Sequence, residues 1–104
     1  MINILLVHQF SKHLVQGEVS ALSKIFGGAE VSYTTTNPQN AEEHARDCER
    51  IKPTLVLLPF TFDLSISPQA LGKGFRHVVV SAGEVSELYC SKPCFTLNRK
   101  PFEP

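Results

Sequence analysis

Lys52-Pro53-Thr54-Leu55-Val56-Leu57-Leu58-Pro59 is the stretch that decides the fold class. Leu55 to Leu58 are apolar without alternation, behind a Lys-Pro pair that breaks any preceding helix. An unalternating run of this length reads as a strand covered on both faces. Ile2-Asn3-Ile4-Leu5-Leu6-Val7 opens the chain in the same manner. Strands of this kind belong to parallel sheets, whose crossover connections lay helices over each face. The sequence between them should therefore read as helix.

It does so twice. Leu14, Val15, Val19, Leu22, Ile25 and Phe26 recur at helical spacing, with Ser11 as N-cap and Gly27-Gly28 as the stop. Gly17 weakens the start of that helix by about 1 kcal/mol relative to alanine. Ala29 to Thr35 alternates and reads as a strand with a polar side, suited to an edge. Asn37-Pro38 predicts a cap followed by proline at the first helical position. Ala41, Ala45 and Cys48 then form a narrow apolar stripe with His44 beside it, and Lys52-Pro53 ends the helix.

After the central strand, Thr54 to Leu58, Ser67-Pro68 starts a helix that must be short before Gly72 and Gly74. His77 to Ser81 reads as the fourth strand and Phe95 to Leu97 as a fifth. The segment between them, Ala82 to Pro93, has room for roughly two or three helical turns. Residues 99–104 read as a tail on a single α/β domain spanning 1–104. Right-handed crossovers then predict a three-layer flavodoxin-like sandwich, with a mainly parallel sheet of four or five strands ordered 2-1-3-4-5. Its second half is shortened.

Bulk composition narrows the function classes. A chain of 104 residues with 42% apolar and 19% charged residues is globular and large enough for its own core. Formal net charge is zero and the basic residues are scattered, which argues against nucleic acid as a partner. The same neutrality permits self-association. The three cysteines, Cys48, Cys90 and Cys94, make an odd count that does not suit a secreted disulfide framework. Without a signal-peptide pattern or an apolar run of about 18 residues, the expectation is a soluble, reduced, cytoplasmic protein with no membrane partner.

Over residues 2–97 the chain resembles a response-regulator receiver domain. The likeness rests on Ile4-Leu5-Leu6-Val7, Pro53-Thr54-Leu55-Val56-Leu57-Leu58, Val80-Ser81-Ala82 and Lys92-Pro93. In that family the first strand runs into an acidic pair that binds magnesium, and the third ends in the phosphoacceptor aspartate. Here those positions hold His8-Gln9 and Pro59, which supply neither a carboxylate nucleophile nor oxygen ligands for a hard cation. Ser81 and Lys92 alone match the functional pattern, with too few residues between them for the family's normal intervening helix. The resemblance implies a degenerate receiver without phosphorylation chemistry.

In an open α/β sheet, ligands bind outside the carboxyl ends of the strands where strand order reverses. That crevice would be lined by His8, Gln9 and Ser11 on one side and Thr61 and Asp63 on the other. Ser81, Gly83 and Glu84 would approach from the fourth strand. His8 with Asp63 could act as acid and base, and Ser81 is the third catalytic candidate. Equally, polar residues occur at strand ends in any such fold. His8 with His13, or Cys90 with Cys94, offers too few ligands for a tetrahedral zinc site, so no metal and no cofactor are expected. Cys48 suits core packing.

The leading reading is a small non-enzymatic regulatory or adaptor domain that acts through protein–protein contact or self-association. A shortened second half would leave apolar surface around Phe75, Leu88, Tyr89 and Phe95, as an interface. The alternative is a small-molecule-binding protein or small enzyme using the crevice around His8 and Asp63.

Overall fold

The computed structural model describes residues 2–7, 30–59, 63–81, 84–90 and 95–99, with 80–81, 84–86, 89–90 and 95–99 described as backbone. Its strands are β1 (Ile2–Val7), β2 (Val31–Thr36), β3 (Leu55–Pro59), β4 (His77–Ser81), β5 (Glu84–Cys90) and β6 (Phe95–Arg99). They form one sheet in the order β2-β1-β3-β4-β5-β6. β1 pairs in parallel with β2 and β3, and β3 in parallel with β4. The fold is a mostly parallel α/β sheet with the expected 2-1-3-4-5 order.

The unbroken apolar runs follow from burial on both sides. Ile4, Leu6, Leu55, Leu57 and Val78 alternate with Leu5, Val7, Val56, Leu58 and Val79, and none is more than 9% exposed. The second set packs with Cys48, Ile66, Ala70 and Leu88 into one core cluster. Helix α1 (Ala41–Ile51), a 3-10 turn at Leu64–Ile66 and a short helix α2 (Pro68–Gly72) lie over that face. The helix expected between Ser11 and Phe26 lies outside the described residues. Among the described residues, no helix is long and apolar enough to cross a membrane.

Helix α1 starts three residues later than Asn37-Pro38 suggests. Its N-cap is Asn40, whose side-chain oxygen accepts from the Glu43 N–H at 2.8 Å. That start places Glu42 and Glu43 in the first turn, where the helix dipole favours negative charge. Pro38 is instead buried in the approach to the helix. At the other end Lys52 closes the helix in the left-handed region, φ 51°, its N–H donating to the Cys48 carbonyl at 2.7 Å. Helix α2 is as short as its glycines imply. Gly74, at φ 89°, makes the left-handed turn into β4 that a side chain would oppose.

The segment after β4 departs from the expected helical turns. Residues 84–90 form β5, antiparallel to β4, and β6 returns antiparallel to β5. Ser81 and Glu84 are paired, so two residues connect the strands. A link that short can join only antiparallel neighbours. Glu84-Val85-Ser86-Glu87-Leu88-Tyr89-Cys90 mixes polar and apolar residues on both strand faces, so its sequence carries no clear period-two signal. The Arg76–Glu87 ion pair, 2.5 Å from Nε to Oε1, ties β5 to the start of β4. The sheet thus has six strands, and the expected fifth strand is β6.

Candidate functional site

The described residues with the densest chemistry lie in the core. Helix α1 places His44 and Cys48 one turn apart on its buried face. His77 opens β4 on the same face of the sheet as Val79, opposite Leu88 of β5. All three side chains have no exposed surface. The cluster lies at the amino end of β4, away from the carboxyl-end crevice.

Its hydrogen bonds fix where the protons are. His77 Nδ1 lies 2.8 Å from the Phe75 carbonyl oxygen, which accepts only, so Nδ1 carries the proton. His77 Nε2 is then a lone pair facing His44 Nε2 at 2.8 Å, and His44 must donate. The rings meet edge to face, centroids 5.1 Å apart. Cys48 Sγ is 3.8 Å from the same His44 nitrogen. Burial holds His77 down at about 4, against 6.5 for a free imidazole, although the Phe75 carbonyl pulls the other way. Burial pushes the Cys48 thiol up to about 12, with Asp47 and Glu49 adding to it.

A buried thiol in this state is a poor nucleophile, because the thiolate is the reactive form. In the native protein, Cys48 is expected to alkylate at least about a hundredfold more slowly than in denaturant. Residue-resolved mass spectrometry after a timed iodoacetamide pulse checks this. Equal rates in the two conditions would show that Cys48 is not enclosed.

As ligands, the same atoms form a coherent set. One donor atom from each of His44, Cys48 and His77 lies within 4.8 Å of the others. Sequence reasoning weighed the pairs His8/His13 and Cys90/Cys94 and assigned Cys48 to packing. The available signal was His44-x-x-x-Cys48 on one helix face. His77, thirty-three residues away, could be added only by the β3–β4 register.

Of the crevice candidates, His8, Gln9, Ser11, Thr61 and Gly83 lie outside the described residues. Ser81 and Glu84 come together across the β4–β5 ladder, described as backbone. Asp63 is exposed and caps the 3-10 turn, its carboxylate accepting from the Ser65 N–H at 3.0 Å. Hydrogen bonding from Ser65 holds that carboxyl below its ordinary value.

Two of the four expected interface residues, Leu88 and Phe75, need correction. Leu88 is 2% exposed and belongs to the core, and Phe75 is half-buried against that core. The shortened second half does not strip its cover, because β5 and β6 extend the sheet and α2 packs on β5. Tyr89 and Phe95 are placed by register, opposite Thr96 and Cys90.

No family model matches the chain. No curated protein matches it either. Among solved structures, the chain is similar to a multiply substituted variant of HypX from Aquifex aeolicus, with a TM-score of 0.51 and 16% identity. The match covers 96% of this chain and 22% of HypX, so the chain spans about a fifth of that protein's length. At this identity the likeness is one of fold, a distant α/β architecture.

Proposed function

We propose that the chain is a non-enzymatic α/β docking domain that holds a protein partner by strand addition along β2. The observation that carries this reading is the outer edge of β2. Ile2 donates its N–H to the Glu30 carbonyl at 2.7 Å and pairs with Val31. In a parallel ladder this phase turns the backbone groups of Ser32, Thr34 and Thr36 toward β1. Those of Val31, Tyr33 and Thr35 therefore point outward, where no described strand pairs with them.

Edge strands are ordinarily guarded by charge, proline or a bulge. β2 reads Val-Ser-Tyr-Thr-Thr-Thr, with no charge or proline, and its register with β1 is unbroken over all six residues. These residue types favour strands. Tyr33, Thr34 and Thr35 are exposed, and Tyr33, at 50%, is the one exposed large hydrophobic residue among those described. Such an edge suits β-augmentation, in which main-chain bonds give affinity and side chains give selectivity. A second copy of the chain, at zero formal net charge, is the simplest partner. The receiver resemblance enters this reading as a shared parallel core, without the phosphoacceptor chemistry.

Light scattering across a wide concentration range tests it. The mass should rise from 11.5 kDa toward twice that value, while Tyr33→Lys stays monomeric. The substitution is at an exposed site, so stability should change by no more than about 0.5 kcal/mol. A wild-type chain that stays at 11.5 kDa throughout would contradict this reading.

One observation favours the second reading, a small-molecule ligand at the strand ends. Thr36 Oγ1 is buried without a hydrogen-bond partner among the described residues, where β2 ends beside Val7. A melting-temperature rise with nucleotides, flavins or sugar phosphates would support this ligand. No rise with any of them would remove it.

A further inference from the structure

We propose that His44, Cys48 and His77 form a binding site for one copper(I) ion, held by two imidazoles and a thiolate. The site is independent of the β2 edge. Three soft or borderline donors converge within 4.8 Å in the core, all without exposed surface. Hard cations require oxygen ligands, whereas thiolate and imidazole select copper and zinc.

The surroundings are arranged as they are around metal-binding imidazoles. His77 gives its outer N–H to the Phe75 carbonyl, which fixes the ring and leaves the Nε2 lone pair facing inward. His44 and Cys48 are presented from one helix face, so a single rigid element supplies two ligands. The backbone carbonyl that holds His77 comes from the approach to β4.

Charge and ligand number choose between the metals. One thiolate neutralises a monovalent ion, whereas a divalent ion would leave a net positive charge with no exposed surface to hydrate it. Closed zinc sites use four protein ligands, and the described residues supply three. Asp47 and Glu49 flank Cys48 but are engaged elsewhere, by Arg50 at 3.4 Å and Lys73 at 2.6 Å. A three-coordinate copper(I) centre satisfies both conditions.

Binding is a ligand exchange with no electron transfer. The Cys48 S–H bond breaks, sulfur bonds the ion, and one proton leaves for each copper bound. His44 moves its proton from Nε2 to Nδ1, which frees Nε2 to ligate. The two Nε2 atoms must part from 2.8 Å to roughly 3.5 Å, the separation of two nitrogens about 2.0 Å from a trigonal ion.

The test uses the full chain with Cys90→Ser and Cys94→Ser, so that Cys48 is the only thiol. Anaerobic titration with copper(I) against a chromophoric chelator should show one ion per chain. X-ray absorption should show one sulfur and two nitrogens, a readout that needs no change at the site. Adding Cys48→Ala should lower the affinity by more than about 100-fold, since even outer-shell changes cost 10- to 100-fold. A folded protein that takes up no copper overturns the proposal. So does copper that stays bound in the Cys48→Ala chain, a coordination shell without sulfur, or stoichiometric zinc uptake in place of copper.

Discussion

Leu57→Asp should leave no folded protein. Leu57 is 2% exposed in the middle of β3, paired with Leu6 on one side and Val78 on the other. Its neighbours on that face, Ile4, Leu6, Leu55 and Val78, are equally enclosed and apolar. An aspartate placed there must either bury an unpaired charge or be forced neutral, at a cost of several kcal/mol. Loss of the leucine packing adds about 2 kcal/mol or more. Domain stability is itself only about 5–15 kcal/mol. The variant is expected to be insoluble or to show no cooperative melt by circular dichroism. A melt within a few degrees of wild type would show that β3 is not the centre of the sheet.

Acid should weaken the metal-free protein well before its carboxylates titrate. An unfolded chain takes up a proton on His77 below about pH 6.5, whereas burial keeps the folded imidazole neutral down to about 4. Between these values the unfolded state binds more protons, so stability falls as pH falls. The contribution is fully present above 6.5 and is lost progressively toward 4. At 1.36 kcal/mol per pH unit, the full loss is roughly 3 kcal/mol. Urea midpoints for wild type should therefore drop between pH 7 and 4.5, and His77→Gln should flatten that slope. A wild-type midpoint that is level across the range would show that His77 is hydrated or already charged in the native state.

The architecture was legible because its strands are buried on both faces. Ile2–Val7, Leu55–Leu58 and His77–Ser81 carry continuous apolar runs that only a covered parallel sheet explains. β2 announced itself as an edge through its polar face. β5 was harder to read, because Glu84, Ser86 and Glu87 break up its apolar residues in a segment that could also hold a short helix. The two-residue link between Ser81 and Glu84, which excludes a crossover, is defined only by the folded ladder. The core cluster was half legible. His44 and Cys48 share a helix face by spacing alone, but His77 joins them through a register that only the folded sheet defines. Asp63 caps the 3-10 turn, a role that looks in sequence like that of a catalytic carboxylate.

Amide hydrogen exchange along β2, followed residue by residue at low and high protein concentration, tests the docking claim most directly. In dilute solution Ser32, Thr34 and Thr36 should be protected by their bonds to β1, while Tyr33 and Thr35 exchange quickly. As concentration rises, Tyr33 and Thr35 should become protected as well, because a second strand accepts from them. Uniform protection at all five residues in dilute solution would show that the edge is already covered. Persistent fast exchange of Tyr33 and Thr35 at the highest concentration would contradict strand addition by a second copy.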